Sequence, residues 1–187
     1  MDGASRARFT AALCAATAIA LFASPALVAS ASPSATASWP YPNGTLANTR
    51  VASGSSITLA NVATLKKVWS FKLSGDAKKS IQQLGALAMT PIVVDNVVYI
   101  QDLSNNVYAL SLATGALLWE YRVDAPEKSG PGPNGVAVAN GVVYGMTNTA
   151  AFALHATNGH VLWVNKKILK KGEGTFGIQP QVADGRV

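Results

Sequence analysis

The stretch Ala109-Leu110-Ser111-Leu112-Ala113-Thr114-Gly115-Ala116-Leu117-Leu118-Trp119 can be laid residue for residue over Ala153-Leu154-His155-Ala156-Thr157-Asn158-Gly159-His160-Val161-Leu162-Trp163, with Ala-Leu, the glycine and Leu-Trp at the same places. Upstream of each copy lies a matching apolar hairpin, Val94-Asp95-Asn96-Val97-Val98-Tyr99 and Ala139-Asn140-Gly141-Val142-Val143-Tyr144. A third copy begins at Ala183-Asp184-Gly185-Arg186-Val187. The chain thus repeats itself with a period of roughly 45 residues, and a period of that length means stacked structural repeats.

Each repeat is built from short strands. In the first copy the apolar runs are Ile92-Val93-Val94, Val97-Val98-Tyr99-Ile100, Val107-Tyr108-Ala109-Leu110 and Leu117-Leu118-Trp119-Glu120-Tyr121. They are separated by turns at Asp95-Asn96, Ser104-Asn105-Asn106 and Thr114-Gly115. Asn, Asp and Gly tolerate the positive φ that tight hairpins demand, so the runs read as an antiparallel meander of four strands. Gly115 and Gly159 fall at the same place in their copies, where the last hairpin needs them. No long helical pattern follows residue 66, and the fold class is all-β, a β-propeller of four-stranded antiparallel blades.

Before the first full repeat, Lys67-Val68-Trp69-Ser70-Phe71-Lys72-Leu73 alternates as a strand with one buried face, and Trp69 stands where Trp119 and Trp163 stand in theirs. Three tryptophans recurring at one place per repeat suit docking of blade on blade. Ile57, Val62 and Leu65 are spaced to line one side of a short helical turn. A propeller blade buries both faces against its neighbours. Residues 39–187 are therefore expected to be the first blades of a longer propeller. The alternative is a self-contained β-domain of two sheets, its open faces covered by the N-terminal arm or a partner.

The N-terminus has Arg6 and Arg8, an apolar run from Phe9 to Val28, then Ala29-Ser30-Ala31. That order reads as a secretory signal peptide, placed at residues 1–31, with cleavage after Ala37 fitting the small-residue rule equally and an uncleaved anchor as the alternative. The Ser/Ala/Thr/Pro-rich residues 32–38 bury little and read as a flexible linker. The expected location is outside the cytoplasm, with the membrane met only through the signal during export. The one cysteine, Cys14, lies inside the apolar run, so the mature chain has no thiol and obtains its stability from packed β-structure.

The chain carries a net charge of +6, thinly spread except at Lys166-Lys167 and Lys170-Lys171. The lack of interleaved aromatics and the signal peptide argue against nucleic acid, and a solvated loop between blades is the preferred reading. His155 and His160 sit on a strand-turn-strand unit without other ligands and are not a metal pair. Glu173 alone is too few carboxylates for calcium. No metal site is expected among these residues.

The form Ala-Leu-x-x-x-Thr-Gly-x-x-x-Trp at Ala109–Trp119, with Asn for Thr at Ala153–Trp163, resembles the tryptophan-docking repeat of the quinoprotein dehydrogenases. The segments Trp39-Pro40-Tyr41, Asn48-Thr49-Arg50 and Asn61-Val62 with Leu65 are also similar to that family's opening segment. The resemblance covers residues 39–187. It implies an eight-bladed propeller with pyrroloquinoline quinone near its axis, calcium beside it, and a catalytic aspartate from a later blade.

The resemblance also implies particular cofactor contacts, and several differ here. Where the family has a glutamate before the Pro91 strand, this chain reads Ala86-Leu87-Ala88-Met89-Thr90. Where it has adjacent cysteines and then Asn-Arg-Gly, this chain reads Gly130-Pro131-Gly132-Pro133-Asn134-Gly135, with Asn134 in the place of the arginine. Thr175, before Pro180, stands near the family's cofactor-contacting threonine; Gly177 is the alternative alignment. Thr175 and Asn134 are thus the candidate cofactor-binding positions, while the residues present do not by themselves support the quinone and calcium. Two functions follow as expectations: an exported quinoprotein dehydrogenase acting on an alcohol or sugar, or a non-catalytic propeller binding an envelope protein or polymer.

Overall fold

Among the described residues, eight strands form two sheets of four. In the computed structural model, residues 38–52, 54–73, 87, 89–123, 135–170 and 173–187 are described. The signal peptide placed at 1–31, nearly all of the linker and Asn134 lie outside the described residues. The first sheet joins β1 (Ile92–Val94), β2 (Val97–Gln101), β3 (Val107–Ser111) and β4 (Leu117–Tyr121) in that order. The second joins β5 (Ala137–Ala139), β6 (Val142–Met146), β7 (Ala151–His155) and β8 (Val161–Asn165). All pairings are antiparallel, and each sheet is a meander.

The repeat extends to irregularities. Ala109 pairs with Trp119, and the register slips between Ala109 and Leu110; Ala153 pairs with Trp163, and the register slips between Ala153 and Leu154. The first hairpin of each copy turns on residues held at positive φ, Asp95 (51°) and Asn96 (62°), Asn140 (50°) and Gly141 (74°). Asp184 (49°) and Gly185 (71°) repeat that turn, and Ala183 and Arg186 form an antiparallel bridge across it. Gly145 is a glycine for a different reason: a β-carbon there would stand 2.3 Å from Cζ of its cross-strand partner Phe152.

Alternation along the strands gives the first sheet two buried faces. One, carrying Ile92, Tyr99, Val107, Ala109 and Trp119, packs on Val136, Val143, Phe152 and Leu154 of the second repeat. The other, carrying Val98, Ile100, Tyr108 and Leu110, is covered by Trp69, Phe71, Leu73 and Met89. Across the first interface Tyr121 meets Phe152 with ring centres 5.3 Å apart, and across the second Phe71 meets Tyr108 at 5.7 Å. Residues 67–73 keep their alternation, with Trp69, Phe71 and Leu73 half-buried and Val68, Ser70 and Lys72 exposed. They form no strand within the described residues, because their backbone has no neighbouring strand to pair with there. Residues 62–64 form a single 3-10 turn, and Ile57, Val62 and Leu65 are all exposed, so the expected short turn has no buried side.

Two tryptophans cross from one layer to the next at equivalent places. Trp69 Nε1 donates to the Leu112 carbonyl at 2.8 Å, and Trp119 Nε1 donates to the Ala156 carbonyl at 2.9 Å. Their rings lie over Gly115 and Gly159, where a β-carbon would stand 2.5 Å and 2.6 Å from ring atoms. Both glycines are at positive φ, 69° and 71°. Trp119 is 8% exposed, whereas Trp163, at the same place in the second sheet, is 44% exposed. All five residues of β8 are exposed.

Candidate functional site

Three chain connections arrive at the start of a repeat through Thr90-Pro91, Gly135-Val136 and Gln179-Pro180. They meet at one side chain. Gln179 Nε2 donates to the Val136 carbonyl at 2.8 Å and to the Thr90 carbonyl at 3.4 Å. The glutamine precedes a proline, which biases its backbone to an extended conformation. Room for its amide is made by Gly135, held at φ 117°, where a β-carbon would come within 2.9 Å of Gln179 Cδ. One neutral amide thus clamps the inner ends of two repeats from the start of a third.

The opening segment reaches the same region. Trp39 bridges the free edge of β1, its N–H donating to the Val93 carbonyl at 2.8 Å and its carbonyl accepting from the Val93 N–H at 3.0 Å. Pro40, Tyr41 and Pro42 then lie against Ile92, Val136 and Pro180, enclosing a cleft of about 10 Å³, room for about one water.

Thr175 lies on the third connection and is exposed. The connection is held by its neighbour, Phe176, whose N–H donates to the Asn148 carbonyl at 2.9 Å. Glu173 accepts from the Lys170 N–H at 2.7 Å and lies 3.9 Å from Lys170 Nζ. No group of three acidic, histidine or cysteine side chains that could hold a metal occurs among the described residues. His155 and His160 are both exposed.

A second polar cluster lies at the β2–β3 turn. Asp102 is fully buried and its carboxylate accepts four hydrogen bonds: from the N–H groups of Ser104 and Asn106, each at 2.9 Å, from Asn106 Nδ2 at 3.0 Å and from the Tyr108 hydroxyl at 2.8 Å. Four donors fill the acceptor sites of a carboxylate, so its burial leaves no lone pair unserved. Beside it Gln101 Nε2 donates to the Met146 carbonyl at 2.8 Å, tying the turn to the second sheet. Gln101 Oε1 and both polar side-chain atoms of Asn105 have no partner among the described residues, yet each residue is 1% exposed.

These residues fit a carboxylated quinone poorly. Such a cofactor calls for cationic, bidentate contacts, and calcium calls for several oxygens from charged ligands. The described residues at the inner ends of the three connections are neutral, and Gln101 and Asn105 are buried beside the β2–β3 turn. Lys166, Lys167 and Lys170 are exposed on the stretch that leaves β8. Of the two candidate positions, Thr175 is exposed and Asn134 lies outside the described residues, while the side chain that joins the connections is Gln179. The signal was available, since Gln179 precedes Pro180 in the register in which Thr90 precedes Pro91.

Comparison with known proteins matches residues 39–139 to the family described as "Glucose/ethanol/alcohol dehydrogenase, beta-propeller domain". Quinoprotein alcohol dehydrogenase PedH of Pseudomonas putida is 28% identical over 137 residues, covering 70% of this chain and 22% of that protein. Quinohemoprotein alcohol dehydrogenase of Comamonas testosteroni is 29% identical over 160 residues, covering 81% and 22%. The crystal structure of the Comamonas testosteroni enzyme superposes with a TM-score of 0.65 at 27% identity, covering 79% of this chain and 22% of that one. A europium-containing methanol dehydrogenase superposes at 0.62 with 27% identity, covering 80% and 26%. The chain spans about a fifth of the length of the curated relatives it matches, and its two sheets are blades of a propeller fragment.

Proposed function

This chain belongs to the glucose/ethanol/alcohol dehydrogenase β-propeller family, and from that membership we propose that it forms the first blades of an exported quinoprotein-type dehydrogenase oxidising an alcohol or sugar. The observation that carries the reading is the pair of inter-blade contacts, Trp69 over Gly115 and Trp119 over Gly159. Both lie on repeats of the type that the family shares. Export rests on the n-region, apolar run and Ala-Ser-Ala site at the start of the chain.

In this proposal the described blades supply the wall of the site and residues outside them supply its charge. Gln179 holds the inner ends of the first two repeats together, and the Pro40–Pro42 segment packs across the space between them. The quinone accepts hydride from the substrate in this family's chemistry. Its charged contacts and the general base are assigned to residues beyond those described. The test is made on the complete protein carrying these blades, supplied with quinone and calcium. Cofactor absorbance and dye-linked oxidation of a primary alcohol or an aldose are expected; the absence of both overturns the reading.

The neutral clamp favours one second reading. A propeller whose inner connections carry amides instead of acids and arginines suits a scaffold that binds an envelope protein or polymer. Retained folding with no quinone bound, together with capture of one defined envelope component, is the outcome that selects it.

A further inference from the structure

We propose that Asn140 is a site of spontaneous deamidation, the one of three described Asn-Gly pairs that the fold leaves open to the reaction. Asparagine before glycine is chemically labile because the following amide nitrogen meets no side chain on its approach to the asparagine carbonyl. The fold treats the three pairs differently. At Asn43-Gly44 the Asn43 amide donates to Asn48 Oδ1 at 3.1 Å, the Gly44 N–H donates to the Tyr41 carbonyl at 3.0 Å, and Gly44 is buried against the Trp39 ring. At Asn158-Gly159 the Asn158 Oδ1 accepts from the His160 N–H at 3.0 Å and the Gly159 N–H donates to the His155 carbonyl at 2.8 Å. The Trp119 ring then covers Gly159.

At Asn140-Gly141 none of these restraints exists. Both residues are exposed, nothing lies within 4 Å of the position of a β-carbon on Gly141, and neither the Asn140 amide nor the Gly141 N–H makes a hydrogen bond among the described residues. Only the Gly141 carbonyl is engaged, accepting from the Ala156 N–H at 2.9 Å.

In the reaction the Gly141 nitrogen gives its proton to solvent base and attacks Asn140 Cγ. The new N–C bond closes a five-membered succinimide as the Cγ–Nδ2 bond breaks and ammonia leaves with a proton from water. Water then adds to one of the two ring carbonyls and breaks its bond to nitrogen. Opening at Cγ gives aspartate; opening at the main-chain carbonyl gives isoaspartate, with one extra carbon in the backbone. Either product carries a new negative charge, and water is the sole co-reactant.

The sibling turns show which product the hairpin accepts. Asp95 and Asp184 hold the same position with φ of 51° and 49°, against 50° for Asn140. Aspartate therefore restores the residue found in the other two copies, whereas isoaspartate lengthens a two-residue turn whose dihedrals must match the strand twist.

The test incubates the folded chain at mildly alkaline pH and follows peptide masses at the three pairs. Asn140 is expected to convert on the order of tenfold faster than Asn43 and Asn158, the factor that opening one or two hydrogen bonds imposes. In urea the three rates should converge. Gly141→Ala should slow conversion at Asn140, and Asn140→Asp should give a chain that folds like the parent. Equal rates in the folded chain, or conversion of Asn158 before Asn140, would overturn the proposal.

Discussion

The ring of Trp119 lies over Gly159 of the neighbouring blade so closely that a β-carbon on Gly159 would stand 2.6 Å from ring atom Cε3. Two demands meet at that glycine, a φ of 71° and the approach of the ring. Gly141, with φ 74° and nothing within 4 Å, has only the first. Gly141→Ala should therefore cost about 1 kcal/mol, the penalty of the left-handed conformation. Gly159→Ala should cost about 2–4 kcal/mol, because overpacking adds to it. Urea unfolding of the two variants compares them directly, and equal losses would mean that the ring does not press on the glycine.

Trp119 also contributes a polar contact, Nε1 to the Ala156 carbonyl at 2.9 Å. Trp119→Phe should lose about 1 kcal/mol, the net value of one such bond, and Trp119→Ala about 3–5 kcal/mol through the cavity left between blades. Trp163→Ala should cost clearly less in this chain, since Trp163 is 44% exposed and packs chiefly beside Tyr144, with ring centres 6.4 Å apart. Thermal melts of the three variants should show the largest loss for Trp119→Ala; a Trp163→Ala loss as large would contradict the docking geometry.

The buried Asp102 carboxylate serves four donors within one turn. Asp102→Ala strands two backbone N–H groups, an amide and a hydroxyl, and should cost about 3 kcal/mol or more. Tyr108→Phe removes one donor from a carboxylate that keeps three, at about 1 kcal/mol. Amide hydrogen exchange at Ser104 and Asn106 reports the same event locally: fast exchange in Asp102→Ala and near-parental protection in Tyr108→Phe. Unchanged protection after Asp102→Ala would show that the carboxylate does not organise the turn.

Most of the fold was legible because the strands are short, alternate cleanly and end on residues suited to positive φ. The runs ending at Val94 and Tyr121 coincide with β1 and β4, and the shared period carried the assignment to β5–β8. What the period could not express is which layer a residue touches. Nothing in the spacing of Trp119 and Gly159 says that the ring of one covers the other. Residues 67–73 alternate like a strand, yet strand formation needs a backbone partner, and none is at hand among the described residues. The clamp made by Gln179 is hidden for a related reason. The residue's place before Pro180 is legible, but its partners are two carbonyls of distant repeats, and a carbonyl acceptor leaves no mark on sequence. Asp102 was likewise invisible as a hub, since acid in a turn reads as surface until its four donors are counted.

Tyr99 gives the fold an alkaline limit. Its phenol is buried at the blade interface, 6.0 Å from the Trp119 ring centre, and reaches the Ala156 carbonyl at 3.4 Å. Burial pushes its pKa above the ordinary value of 10.0, and the Asp95 carboxylate adds to the shift. A raised pKa in the folded state means that the neutral phenol is favoured there. The associated stability is fully present below about pH 10, the unfolded value. It is lost as pH climbs from there through the folded value, because the unfolded chain releases the proton more readily. Tyr99→Phe removes that dependence, so the stability gap between parent and variant should narrow as pH rises above about 10. Denaturant midpoints measured for both chains from neutral to alkaline pH decide it: a gap constant across the alkaline limb would mean that Tyr99 ionises as freely in the folded chain as in the unfolded one.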